Sequence, residues 1–367
     1  MAAILPALLL TGCQLSPDPR QQTPRPPAAT HSFTLQPGSD VVGEVQRITA
    51  AHEDTFSDLA RRFNLGYEEL VRANPGIDPW LPREGTEIVL PTRFVLPDAP
   101  RSGIVINLAA LRLYYFPPTA AGEPQRVITH PIGIGRVGWR TPEGQTTVTR
   151  KQKDPPWYPP ASVRREHAAN GDPLPPRVEP GPDNPLGRHV LRLGWPSYLI
   201  HGTNNPYAVG LRASHGCVRL YPEDIALLYA AIPLGTLVTV VNQPVVYGWD
   251  GTVLYQQAYP PLEDDRRDQA SLEKRALEAA ARRAPLQGRV DGEAAGRLLT
   301  ERRGIALPVQ SETELAAYLA ATSRVQNRLP DGATWSGSDR QLAVNEEMAG
   351  EATDTAPGPA TDPSARR

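Results

Sequence analysis

Two short runs concentrate the side chains able to do covalent chemistry: Ile200-His201-Gly202-Thr203 and, further on, Ser214-His215-Gly216-Cys217-Val218-Arg219-Leu220. A thiol attacks a carbonyl as its thiolate, so Cys217 needs a base nearby and a local field that favours negative charge. Gly216 can take the sharp turn that exposes the next side chain. Backbone N–H groups around His215, Gly216 and Cys217 can then point at a developing oxyanion. His201 closes an apolar run, a rigid place from which to present an imidazole. His215 offers a second ring; its place just before the Gly-Cys pair favours a structural or substrate-positioning role, while spacing alone leaves open which imidazole reaches the sulfur. Any one cysteine is more often an inert core residue than a nucleophile. The combination points to acyl transfer. The 7 histidines and 2 cysteines show no clustering at ligand spacing, so neither a metal nor another cofactor is expected.

The elements that must hold these residues run from Arg101 to about Val246. Short β-rich runs recur at 103–107, 111–115, 126–129, 146–149, 190–193, 197–200 and 236–241, separated by Gly and Pro turns. The pattern predicts a mainly β domain, sandwich or barrel-like. It carries one short helix beside the site, Pro222 to Ala231, with Ile225, Leu228 and Tyr229 on one face. Between the early and late strands lies a long Pro-dense loop, about 153–188, of the kind that serves as a lid or binding loop.

Ser-His-Gly-Cys followed by Val-Arg, and preceded at this distance by His-Gly-Thr, resembles the signature of L,D-transpeptidases with a YkuD-like catalytic domain. Pro131-Ile-Gly-Ile-Gly135, Thr141-Pro-Glu-Gly144 and Gly181-Pro-Asp-Asn-Pro185-Leu-Gly-Arg-His189 look like its enterobacterial ErfK/YbiS branch, so the resemblance spans roughly residues 100–245. It implies that Cys217 is the nucleophile, His201 the general base, and the Gly202 carbonyl the group that orients the imidazole. It further implies an oxyanion hole of backbone N–H groups at His215, Gly216 and Cys217, with Ser214 structural. Arg219 would hold the site or a substrate carboxylate, and His189 and Trp157 would line the donor-peptide groove.

The implied partners are peptidoglycan stem peptides and glycan strands. In the implied reaction the thiolate attacks the third stem residue, D-alanine leaves, and the thioester passes to an amine. That amine is a diaminopimelate of a neighbouring stem or a lysine of an outer-membrane lipoprotein. Water in its place would make the protein a hydrolase of the same donor. A wall-binding scaffold without activity is the contrasting reading, and the intact Cys217 and His201 stand against it.

At 367 residues the chain is too long for one ordinary domain and suits two or three. With 38 basic and 40 acidic residues, the chain gives no electrostatic reason to expect nucleic acid or an anionic membrane face as partner. Residues 1–10 are almost wholly apolar, too short to span a bilayer, and read as part of a secretory signal. Leu10-Thr11-Gly12-Cys13 resembles a lipobox, although no Lys or Arg precedes the apolar run. Lipidation at Cys13 would place the protein in the periplasm, anchored to the outer membrane through that lipid alone, and leave Cys217 as the free thiol.

Residues 14–45, rich in Pro, Gln, Ser and Thr, read as a flexible tether. Residues 46–91 follow a β-α-α-β order resembling a LysM module, in Asp54-Thr55, Leu59-Ala60, Leu70, Asn74-Pro75 and Ile88-Val89-Leu90-Pro91. Such modules bind N-acetylglucosamine chains, and this one is expected to be separable from the catalytic domain. Residues 260–328 read as a helical appendage, its last helix opened by a capping box at Ser311-Glu-Thr-Glu314, and 331–367 as a disordered tail.

Overall fold

The computed structural model describes residues 24–283, 290–310 and 314–330. The signal and lipobox at 1–13 with Cys13, the first part of the tether, Ser311 of the capping box and the tail at 331–367 lie outside the described residues.

The molecule is mainly β, built on a nine-stranded sheet. Across the sheet the strands run Ser32–Thr34, Arg126–Pro131, Arg112–Phe116, Gly103–Asn107, Leu237–Val241, Gly144–Lys153, His189–Leu193, Leu199–His201 and Val218–Arg219. The sheet curls on itself. Its last strand returns toward the beginning, where Arg219 and Gly133 exchange two backbone hydrogen bonds of 2.9 Å.

Strand alternation explains why the central strands read as unbroken apolar runs. From Gly103–Asn107, Ile104 and Ile106 face one core and Val105 another; from Arg112–Phe116, Leu113 and Tyr115 face the first, Tyr114 and Phe116 the second. The first core holds the helix Pro222–Ala231 through Ile225 and Leu228. The second is covered by the β-α-α-β unit formed by Gln46–Thr49, Phe56–Arg62, Tyr67–Ala73 and Glu87–Leu90. Phe56, Leu59, Phe63 and Leu70 are fully buried there, and Thr55 caps the first helix by accepting from the Asp58 N–H at 3.2 Å. Asn74 stands in for a strand neighbour: its amide donates to the carbonyls of Leu70 and Val89, and its oxygen accepts from the Val89 N–H.

That unit is joined to the large sheet by buried contacts. Arg112, wholly buried in the large sheet, donates from Nε and Nη2 to the two oxygens of Glu69, each at 2.8 Å. Arg61 makes the same paired contact, at 3.0 Å, with Glu223 of the helix that follows the cysteine. Gly210 sits at φ +82°, and a Cβ there would lie 2.4 Å from the Gly66 Cα, so the two units meet backbone to backbone.

Two expectations about the flanks need correction. From residue 24 onward the tether is structured: Ser32–Thr34 joins the large sheet, Val41–Gly43 pairs with Arg93–Val95, and Leu35, Val41 and Val42 are buried. A few apolar residues in a polar stretch suffice because each lands on an open sheet edge. The C-terminal region is likewise no purely helical appendage. A hairpin, Val245–Asp250 and Val253–Ala258, takes Leu307–Pro308 as third strand and packs against Gln269–Arg283 and Gly292–Glu301. Val45, just before the β-α-α-β unit, and Ala73 and Val89 within it share its core, and Ser323–Arg324 pairs with Gln46–Thr49. No helix among the described residues is long and apolar enough to cross a membrane.

Candidate active site

The strands Leu199–His201 and Val218–Arg219 run parallel, pairing Ile200 with Val218 and His201 with Arg219. Ile200 and Val218 are buried in the catalytic core. Period-two alternation therefore turns His201, Arg219 and, just before the ladder, Cys217 to the opposite face. Cys217 precedes Val218 and so stands diagonally from His201 across the pair of strands. Both line a groove of about 490 Å³ whose walls include Trp139, Trp157, Tyr158 and Tyr198.

His201 is buried, and its Nδ1–H donates to the Gly202 carbonyl at 2.6 Å. A carbonyl only accepts, so the proton sits on Nδ1 and the Nε2 lone pair is left to act as base. Burial, reinforced by the nearby Arg219 guanidinium, pushes the His201 pKa down to about 3. The ring is neutral at any ordinary pH.

Cys217 is half-buried, and its S–H points to the Ser197 carbonyl at 3.6 Å. Burial raises the thiol pKa, and the Arg219 and Arg192 charges pull against that rise. Both shifts favour a neutral thiol beside a neutral imidazole at rest.

The turn bearing the cysteine is braced from two sides. Ser214 Oγ accepts from the Gly216 N–H at 3.1 Å and donates to the Cys217 carbonyl at 2.6 Å. Thr141, which residue type and spacing did not single out as part of the site, donates to the Gly216 carbonyl at 2.9 Å and accepts from the Gly135 N–H. Gly216 takes φ +104°, and a Cβ there would meet Tyr198 Cε1 at 3.0 Å. The expected three-donor oxyanion hole shrinks accordingly: Ser214 occupies the Gly216 N–H, leaving those of His215 and Cys217 as the candidate donors.

His215 lines the same groove as Cys217, but its ring is engaged by other side chains. Its Nε2 lies 3.2 Å from both Glu166 Oε2 and Arg136 Nη2, and its ring packs edge-on against Trp139. Glu166 belongs to a helix, Ala161–Ala169, inside the stretch expected to be loop; Glu166 also pairs with Arg136. The prolines end at Pro160 and resume only at Pro173, which leaves room for two turns of helix. Asn184, fully buried, ties the same loop down by donating to the carbonyls of Pro155 and Glu179.

Trp157 lines the groove, fixed by a two-bond bridge to Val178. His189 does not. Alternation along His189–Leu193 sends Val190 and Arg192 to the face of His201, and His189 packs instead on the Tyr229 ring, with centroids 4.8 Å apart. Among the described residues no group of three or more His, Cys, Asp or Glu side chains is placed to hold a metal ion.

A curled β sheet presenting Ser-His-Gly-Cys in the turn before one strand and histidine on the neighbouring strand defines a class. Residues 101–240 match the YkuD family, the L,D-transpeptidase catalytic domain, and the chain belongs to the L,D-transpeptidases. It is 36% identical over 291 residues to "Probable L,D-transpeptidase YcfS" of Escherichia coli K12, covering 77% of this chain and 90% of that one. To "Probable L,D-transpeptidase ErfK/SrfK" of the same strain it is 38% identical over 288 residues, covering 76% and 91%. To its "Probable L,D-transpeptidase YbiS" it is 44% identical over 211 residues, covering 57% and 67%.

Proposed function

We propose that the protein cross-links or decorates peptidoglycan through a thioester on Cys217. The observation that carries this reading is the parallel ladder that turns His201, Cys217 and Arg219 together into one groove. As the sulfur attacks the carbonyl of the third stem residue, its proton passes to His201 Nε2, while the Nδ1–H stays on Gly202 and holds the ring. The N–H groups of His215 and Cys217 take the oxyanion, the imidazolium returns its proton to the departing amine, and D-alanine leaves. A second amine then attacks the thioester. The acceptor is diaminopimelate of a neighbouring stem or a lysine of an outer-membrane lipoprotein.

The β-α-α-β unit serves as the glycan-binding LysM module. Trp80 is 67% exposed on it and Leu81 58%, and Trp80 lies beside the Tyr67 ring, an arrangement suited to stacking on sugar. Cys13, acylated, holds the enzyme to the outer membrane in the periplasm.

Incubating the protein with a disaccharide-tetrapeptide and reading masses tests the core of this reading. A thioester adduct on wild type, absent from Cys217→Ser, with loss of D-alanine and formation of a dimer is expected. Turnover by Cys217→Ala would refute it, and tripeptide without dimer would assign water as acceptor.

A further inference from the structure

The groove contains two cations and no anion. Arg192 and Arg219 both line it, and no Asp or Glu is among its lining residues. Arg61 and Arg112, buried elsewhere, are matched by Glu223 and Glu69, while Arg303 has an unpartnered buried Nε. Arg192 and Arg219 are not matched. The Nε of each is buried without a hydrogen-bond partner, and neither side chain enters an ion pair among the described residues. Glu166, the acid that reaches the rim, is committed to Arg136 and His215.

Strand register adds a second, independent anomaly. Arg192 faces Leu199 on one side, and so shares the face of His201 and Cys217; on the other side it stands directly opposite Arg150. Like charges directly opposed across a ladder are destabilising, and a buried guanidinium nitrogen without a partner costs the desolvation of a charged group. Stability alone gives no reason for this arrangement. A bound anion removes both penalties at once.

From this we infer that Arg192, together with Arg219, forms the subsite that holds a carboxylate of the acyl donor. The inference rests on the transpeptidase reading and names a feature of the donor that reading leaves open. Arginine suits the task because its planar fork matches a carboxylate in two bonds. Arg192 does not touch the reacting atoms; it is a positioning residue. It acts on a donor that carries a free carboxylate near the attacked carbonyl, either on the leaving residue or on the acyl portion of the stem.

The test compares three synthetic tetrapeptide donors: one with all carboxylates free, one amidated at the leaving residue, one amidated on the acyl portion. Formation of the Cys217 adduct is followed by mass for wild type, Arg192→Gln and Arg192→Lys, each checked for native near-ultraviolet circular dichroism. With the free donor, Arg192→Gln is expected to lose roughly 10- to 100-fold in kcat/KM, mainly in KM, the magnitude of a charge-assisted bond. Arg192→Lys recovers part of that loss.

With one of the amidated donors, and that one identifies the carboxylate, wild type falls to the level of Arg192→Gln, which itself falls no further. Equal penalties for wild type and Arg192→Gln with both amidated donors would overturn the inference and leave the transpeptidase reading intact. So would full activity of wild type on both amidated donors, a result that does not depend on the variants folding. A wild type that forms no adduct with any donor would overturn the reading beneath, and this assignment with it.

Discussion

At the scale of single residues the site is a problem in protonation. His201 is kept neutral by burial and by Arg219, while burial lifts the Cys217 thiol above its ordinary range. The pair therefore differs from a preformed thiolate–imidazolium couple, and the difference has a sign. Below the raised thiol pKa the sulfur is protonated, so alkylation of Cys217 by iodoacetamide should climb with pH through and beyond about 8.5, the range of a free thiol. No acid limb from His201 should appear above about pH 3, where its own titration falls. A plateau of alkylation at neutral pH would show an ion pair at rest instead. Donor binding can change this balance, because a substrate carboxylate on Arg219 removes one of the charges that keep the imidazole from taking a proton.

Between residues and the whole lie the elements, and here the lid helix Ala161–Ala169 is the informative case. Val163 is its one buried residue, so its packing against the groove is slight, and Glu166 is what joins it to the cysteine turn. Glu166→Ala is expected to leave global stability nearly unchanged, as for other ion pairs near the surface, yet to speed amide hydrogen exchange across 161–169. Unchanged exchange there would show that Asn184 and the Trp157–Val178 bridge alone hold the lid.

This element also shows where sequence reading stops. Cys217 and His201 were legible because their chemistry and their spacing coincide in one short stretch. Thr141, Glu166 and Arg192 were not, because each reaches the site through a strand pairing or a loop closure that no local pattern reports. His189 was misplaced by a single residue of strand phase: position 190 shares the face of His201, and 189 turns to Tyr229 of the helix behind it.

Taken as a whole, the chain was expected to be beads on a string: tether, wall-binding module, catalytic domain, appendage. It folds instead with the β-α-α-β unit pressed between the catalytic sheet and the C-terminal hairpin, sharing one core with the sheet and another with the hairpin. Composition cannot reveal this, because an apolar residue buried between units looks like one buried within a unit.

Arg112→Met strands Glu69 in the seam and should cost about 3–5 kcal/mol in urea unfolding. Arg112→Met combined with Glu69→Met should cost clearly less than that, since no buried charge is then left alone. The unfolding should be one transition; two separate transitions would mean that the units melt independently.

The backbone contact of Gly66 with Gly210 bears on reach as well as on stability. Were Trp80 to hold a sugar as proposed, the seam would work as a caliper: the distance from the held saccharide to the sulfur would be set once, in the fold, and not sampled by a swinging linker. Stems hanging at that spacing along a glycan would then be modified and their neighbours passed over, so the pattern of reaction along a strand would become a readout of the molecule's own dimensions.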